Sequence, residues 1–491
     1  LKIFFIFAVV NQINMAKIIG REEEISRLKY YASSDRAEFV AIYGRRRVGK
    51  TFLINQVFES QFVFAVTGVM NGKRETQFKA LADAFDMYNY KVEKQPEDWM
   101  EAFRILRHFL MERMSNRRRN VVFIDELPCF DTQKSEFVDA LGYFWNSWAS
   151  LQDNLMLIVC GSATSWMIDN IIDNHGGLHN RITHEIHLTQ FTLGETAHFL
   201  SKKKFGWDKM SVLKTYMCLG GIPYYLSLLD PRYSLEQNID LLYFNHKGEL
   251  RLEFDRIFSA LFKTSEPYIR IVEALFDNKQ GLSREEIARL LKTESSGKLS
   301  EMLQNLVNCD IIRFSRIKQK KISDRKGIYQ LMDFYMNFYL RFVKNKTNDE
   351  NFWVKNINTP AINTWFGLTF EKVCMAHISQ IKNALKLQAV STEYYSWRGK
   401  EPDDNGKLRQ IDLIIERADS LTSVCEMKFS SDKFLLDEDE MENINERISA
   451  FARETATPGG FVPVIVSPKG LKKSPQANNI KWVVALDDLL K

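Results

Sequence analysis

The sequence is short of cysteine. It has six in 491 residues, at 129, 160, 218, 309, 374 and 425, and no two stand at Cys-x-x-Cys spacing. This excludes a local thiolate zinc site and a disulfide scaffold, and it suits reduced thiols in a cytosolic chain. The 11 prolines and 23 glycines form no runs, so no Pro-rich linker or low-complexity tract divides the chain. No internal repeat is apparent. Long apolar runs are also missing: IFFIFAVV at 3–10 falls well short of the roughly 20 residues a membrane span needs. Charge of one sign is nearly absent overall, with 67 Lys and Arg against 62 Asp and Glu, a net of +5. A chain basic throughout, as an indiscriminate polyanion binder would be, is therefore excluded, whereas a local basic patch is not.

What remains is the composition of an ordinary globular chain, 45% hydrophobic, 26% charged and 12% aromatic. Disorder, collagen and coiled coil do not fit it, and its length predicts about three domains. Residues 1–14 are expected to be an extension ahead of a natural start at Met15 (MAKIIGREEEISRL), a short targeting segment being the alternative. The expected location is cytoplasmic, with no membrane partner.

Continuous apolar strands are predicted at 39–43 (FVAIY), 120–124 (NVVFI) and 155–160 (LMLIVC), with a helix over 52–58. Such strands separated by helices indicate a parallel sheet covered on both faces. The first strand runs into GRRRVGKT, residues 44–51, which fits G-x-x-x-x-G-K-[ST] at every fixed position. Gly44 and Gly49 let the backbone of Arg45, Arg46, Arg47 and Val48 wrap around a phosphate. Lys50 reaches the β- and γ-phosphates, and Thr51 offers a hydroxyl to Mg²⁺. The second strand ends in VVFIDE: Asp125 is the expected Mg²⁺ partner and Glu126 the general base. Ser162, at the tip of the third strand, is a candidate γ-phosphate or water sensor, and Arg181 a candidate finger or sensor.

Together IIGREEEI, YGRRRVGKT, VVFIDELP, LIVCGSATSWM and CLGGIPYYL (218–226) resemble the archaeal-type ATPase family, in the AAA+/STAND branch of P-loop NTPases. The resemblance implies that Gly20 and Arg21 lie near the adenine. It also implies that Gly221 and Pro223, in a helical lid, touch the nucleotide. The residues alone leave GGIPYY equally readable as a helix-ending turn with core aromatics.

Downstream, three short amphipathic helices are predicted at 268–277, 283–292 and 295–307, followed by a hairpin at 311–331, the order of a winged helix. Ser283 and Glu286 have capping-box spacing. The hairpin is dense in cations: Arg313, Arg316, Lys318, Lys320, Lys321, Arg325 and Lys326. It either lies along a nucleic-acid backbone or is a solvated wing used for packing alone. Residues 256–346 carry a surplus of +8, whereas residues 347–491 carry −3.

In the last third, strands are predicted at 411–415 and 422–427. Asp412 lies on the first, and Glu426 and Lys428 share one face at the end of the second. Two carboxylates and a lysine so arranged suit a divalent-metal nuclease, with Glu371 on an upstream helix as a third acid. This set resembles the PD-(D/E)xK nuclease superfamily, with Ile411 where the pattern has proline. DEDEMENINE (437–446) reads as a solvated helix face, with a role in closing the nuclease site as the alternative. The His175, His179, His184 and His187 cluster is not expected to hold zinc, because Gly176 and Gly177 break the helix it would need.

The expected fold is thus α/β. An AAA+-like P-loop ATPase with its lid occupies 15–255, a winged helix 256–346 and a PD-(D/E)xK-like domain 347–491. The expected function is ATP hydrolysis with Mg²⁺, coupled to a nuclease-like domain acting on DNA. The alternative is a STAND-like switch that binds DNA or protein without cutting. Nucleotide-dependent self-association fits either.

Overall fold

In the computed structural model, residues 18–293, 297–318, 322–344, 349–402 and 408–491 are described. The proposed extension at 1–14 lies outside them. The chain divides into two compact units, one ending at Thr189 and the other Gln190–Lys491. The boundaries expected at 255/256 and 346/347 both fall inside the second.

The first unit begins with α1 (Glu22–Ala32) and then alternates strand and helix. Its strands are β1 (Glu38–Tyr43), β2 (Phe62–Thr67), β3 (Asn120–Asp125), β4 (Leu155–Gly161) and β5 (His184–His187). The intervening helices are α2 (Lys50–Phe58), α3 (Arg74–Met87), α4 (Trp99–Arg113) and α5 (Phe137–Ser147). The strands form one parallel sheet in the order β2-β3-β4-β1-β5. Every residue of β3 and β4 is buried, which is why both read as unbroken apolar runs. β2 carries an exposed end and a register shift and was not expected from its short run, FVFAVT.

Helices α3, α4 and α5 cover the sheet with aromatics. Trp99, Phe103, Phe109, Phe137 and Trp145 join Phe39 and Phe64 in one buried cluster. Each such ring removed from water contributes on the order of 2–3 kcal/mol. Asp98 caps α4, its carboxylate accepting from Glu101 N at 2.8 Å. This core fixes the carboxyl ends of β1, β3 and β4, from which the functional residues project.

The second unit contains α6 (Leu193–Lys202), α7 (Lys209–Leu219), α8 (Glu266–Asp277), α9 (Arg284–Leu290) and α10 (Gly297–Asn308). The antiparallel hairpin β6 (Ile312–Lys318) and β7 (Ile322–Leu331) follows. Ser283 and Glu286 do form a reciprocal cap, at 3.2 and 2.7 Å. Leu282, between α8 and α9, bridges Tyr329 of β7.

Then come α11 (Pro360–Ala376), β8 (Thr392–Pro402), β9 (Leu408–Arg417), β10 (Leu421–Met427), α12 (Glu438–Thr455), β11 (Gly460–Val466) and β12 (Trp482–Val484). The hairpin is not a separate piece: the sheet order is β12-β11-β10-β9-β8-β6-β7. Ile317 of β6 pairs with Ser396 of β8 in parallel, so wing strand and C-terminal strands share one seven-stranded sheet.

Candidate functional site

The loop after β1 turns through positive φ at Gly44 (146°), Arg47 (73°) and Gly49 (93°) before α2 begins. Gly44 is the tightest point. A Cβ there would lie 2.2 Å from the Leu188 carbonyl oxygen, whereas one at Gly49 would meet nothing within 4 Å. Gly44→Ala is therefore expected to cost roughly 2–4 kcal/mol, and Gly49→Ala about 1 kcal/mol, the cost of the strained φ alone. Denaturant titration of the two variants would check the order, and equal costs would contradict it.

Lys50 is buried and crosses the loop, donating from Nζ to the Gly44 carbonyl at 2.7 Å and to the Arg45 carbonyl at 3.1 Å. Arg45 is buried beside it, and Arg46 is exposed. Arg21 is also buried. Its guanidinium donates to the Val48 carbonyl at 3.2 Å and to the Thr189 carbonyl at 2.5 Å, while pairing with Glu24 at 3.3 Å. Its side chain thus braces the phosphate loop from behind. Gly20 precedes it with φ 75°.

Thr51 Oγ1 donates to Asp125 Oδ2 at 2.9 Å. The hydroxyl and carboxylate expected to share one ion are therefore already adjacent, and both are hard oxygen donors of the kind Mg²⁺ takes. Asp125 Oδ1 accepts from the Glu126 amide at 2.9 Å and from the Cys160 thiol at 2.6 Å. Burial, and then the Asp125 charge, push the Cys160 pKa well up, so it stays a neutral donor. Cys160 was not foreseen. β3 and β4 pair Ile124 with Val159, so the next residue on each strand is also a lateral neighbour.

Glu126 sits at φ 47°. Its Oε2 accepts both the Ser162 amide, at 3.1 Å, and the Ser162 hydroxyl, at 2.8 Å. Ser162 thus holds Glu126 at the tip of β4. Arg181 is exposed on the turn before β5.

Gly221 and Pro223 belong to the second unit. Gly221 exchanges backbone contact with Phe191, whose amide donates to its carbonyl at 2.7 Å. Pro223 opens a short helix with Tyr225 buried and Tyr224 exposed.

The same unit holds the second constellation. Glu371 from α11, Asp412 from β9, Glu426 from the end of β10 and Lys428 just beyond it line one cavity of about 810 Å³. Lys428 Nζ lies 3.2 Å from Glu426 and 3.0 Å from Glu440, and Arg447 Nη1 lies 2.7 Å from Glu426. Asp412 Oδ1 accepts from Gln410 Nε2 at 2.6 Å. The acidic helix α12 is therefore not only a solvated face: Arg447 lines the cavity, and Glu440 pairs with Lys428 at its edge. Among the described residues, no three His, Cys, Asp or Glu side chains close to metal-holding range. The three acids converge on one cavity, with Glu426 held by cations rather than drawn into a ligand shell.

The carboxylates nevertheless act on one another. Burial, and then the charges of Asp412 and Glu426, push Glu371 up to about 8. Burial, and then Glu426, also raise Asp412. A carboxyl with a raised folded-state pKa contributes stability that is full below its unfolded value near 4.5 and is lost as pH rises towards 8. In metal-free buffer the wild type should lose on the order of 2 kcal/mol over this window relative to Glu371→Gln, after allowing for partial exposure. Unfolding titrations at several pH values would check this, and parallel pH profiles would contradict it.

Of the expected hairpin contacts, Arg316 is exposed on β6. Lys318 stands on β6, and Arg325 and Lys326 stand on β7. Lys320 and Lys321 lie outside the described residues.

Residues 18–229 match the family described as an ATPase domain predominantly from Archaea. Over this stretch the parallel sheet and the loop between β1 and α2 have the arrangement of a P-loop α/β fold, in keeping with an ATPase domain. An uncharacterized protein from Methanocaldococcus jannaschii is 24% identical over 393 residues, covering 78% of this chain and 83% of that one. Among solved structures, the Walker-type ATPase of Pyrococcus abyssi aligns at 18% identity and a TM-score of 0.48, over 66% of this chain and 96% of that one. The ORC2 protein of Aeropyrum pernix, solved as ADPNP–ADP complexes, aligns at 12% identity and a TM-score of 0.41, over 70% and 96%. Among the described residues, no helix is long and apolar enough to cross a membrane.

Proposed function

We propose that this chain binds and hydrolyses ATP with Mg²⁺ in its first unit, and that its C-terminal carboxylates form a divalent-dependent site acting on DNA. The observation that carries the first part is the Thr51–Asp125 contact at 2.9 Å beside a loop spanned by Lys50. Thr51 and Asp125 would hold the ion, which neutralises charge on the phosphates. Lys50 swings from the loop carbonyls to the β- and γ-phosphates, and the amides of Arg45 to Gly49 receive phosphate oxygens. Glu126, oriented by Ser162, takes the proton of the attacking water. Gly20, with the Arg21 backbone, would border the base, and Gly221 and Pro223 are the candidate lid residues of the second unit. Arg181, exposed, is available to a second copy in a nucleotide-dependent assembly.

The second part rests on Glu371, Asp412, Glu426 and Lys428 lining one cavity. The acids would hold a divalent ion that polarises a phosphodiester, and Lys428 would orient the attacking water. The order of helix, bridge, two helices and hairpin before it supports a winged helix. The strand arrangement β8-β9-β10-β11 around these acids supports a PD-(D/E)xK-like fold. Incubation of supercoiled DNA with Mg²⁺ or Mn²⁺, with and without ATP, tests cleavage. Nicking that survives both Asp412→Ala and Lys428→Ala would refute the assignment. In that case the alternative stands, a regulatory ATPase whose C-terminal domain only binds.

A further inference from the structure

The cavity of the carboxylates is also lined by cations from several elements, one of them on the hairpin. Seven Lys or Arg and five Asp or Glu line it, so even with every acid ionised it favours an anion. One of these cations is Arg313, on β6, which the sequence leaves open as a nucleic-acid contact or as one more charge of a solvated wing. It is half-buried. Its Nη2 donates to Gln330 Oε1 at 3.2 Å, while Nε and Nη1 are shut off from water and have no hydrogen-bond partner. Asp412 acts on it electrostatically, but no ion pair forms between them, and Asp412 Oδ1 is already taken by Gln410.

Leaving charged donors unmatched in a buried position costs more than any ordinary contact returns. Burial depresses Arg313 to about 10, and the residue remains a cation at neutral pH. Lys372 follows Glu371 on α11 and lines the same cavity, its Nζ donating to the Leu331 carbonyl at 2.6 Å. On the acidic side, Gln410 Oε1 is likewise buried and unmatched. A purely structural arginine would have been paired by its own fold. An anion with several oxygens would match the unpaired Nε and Nη1 of Arg313, next to carboxylates suited to a divalent ion. A phosphodiester has that composition, and guanidinium matches its geometry.

We propose that Arg313, with Lys372 beside it, is the phosphate-binding wall of the C-terminal site, gripping the DNA backbone at the phosphate beside the carboxylates. The hairpin is then part of this site, through the β6–β8 pairing that joins it to the same sheet. The inference rests on reading the carboxylates as a divalent-dependent phosphodiester site, and it adds the substrate-binding residue.

The test uses the full chain and a fluorescein-labelled DNA single strand of about 20 nucleotides. Anisotropy is read with Ca²⁺, which supports binding without turnover, and cleavage is read with Mg²⁺ or Mn²⁺. Arg313→Gln should weaken Ca²⁺-dependent binding by about tenfold or more and raise KM more than it lowers kcat, with the unfolding midpoint equal to the wild type's or higher, since an unmatched buried charge is removed. Arg313→Lys should restore part of the affinity, which keeps the result interpretable if the glutamine variant folds poorly. Loss of binding in Arg313→Gln without any wild-type cleavage would uphold the phosphate wall and remove the nuclease reading. Asp412-dependent cleavage with Kd and KM unchanged in Arg313→Gln would overturn the wall and keep the nuclease reading. A wild type with no Ca²⁺-dependent DNA binding would overturn the proposal.

Discussion

Glu126→Gln is expected to leave ATP affinity within about threefold of the wild type while lowering turnover by about 10²–10³-fold. The separation follows from the contacts. Glu126 touches the site only through Oε2, which accepts from the Ser162 amide and hydroxyl. A glutamine oxygen can accept the same two bonds, so the geometry survives and only the basicity is lost. Lys50→Ala should behave oppositely. Lys50 spans the loop from α2 to the Gly44 and Arg45 carbonyls, so its removal takes away both the loop's internal brace and the phosphate's counter-charge. Binding itself should fall, by about tenfold or more. Ser162→Ala belongs between the two, with slower turnover because Glu126 is less well oriented. Fluorescent-nucleotide titration and phosphate release distinguish the three, and wild-type turnover in Glu126→Gln would sink the general-base role.

What the sequence made legible is what is local. The phosphate loop is eight consecutive residues, and Asp125–Glu126 ends an apolar run, so each site could be read without knowing which strands are neighbours. Strand order was not readable, and Cys160 is the consequence: it meets Asp125 only because β4 lies beside β3. Arg447 was hidden for a related reason. It lies 21 residues from Glu426, on a helix whose acidic run looks fully solvated, and only the packing of α12 against β8 and β9 brings it within 2.7 Å. Composition alone does not separate Arg313 from its neighbours. In a hairpin crowded with cations it looks like one more exposed charge, yet alternation along β6 leaves Arg316 exposed and turns Arg313 into the cavity. Asp412, Glu426 and Lys428 were legible because period two and a short connection leave little choice of face.

Asp412→Asn should move stability and function in opposite directions. Asp412 is half-buried beside Glu426, and desolvation and then the Glu426 charge raise its pKa, so without a divalent ion its charge works against the fold. A raised carboxyl loses its stabilising contribution as pH climbs above the unfolded value near 3.8. The amide cannot ionise, and it can still face Gln410 and the cavity. At neutral pH in metal-free buffer the variant should therefore unfold at a temperature equal to the wild type's or a few degrees above it. On the proposed reading, Mn²⁺ at about a hundredfold excess over Kd should stabilise the wild type by about 2.7 kcal/mol, because the ion would bind the folded carboxylates and not the unfolded chain. The variant lacks one donor, and Arg447 and Lys428 then hold Glu426 unopposed, so its shift should nearly vanish. Divalent-dependent DNA cleavage should fall by about 10²-fold or more in parallel. A purely structural Asp412 would give the reverse pattern, a less stable variant with its metal-induced shift intact, and that result would remove the carboxylate cluster from any chemistry on DNA.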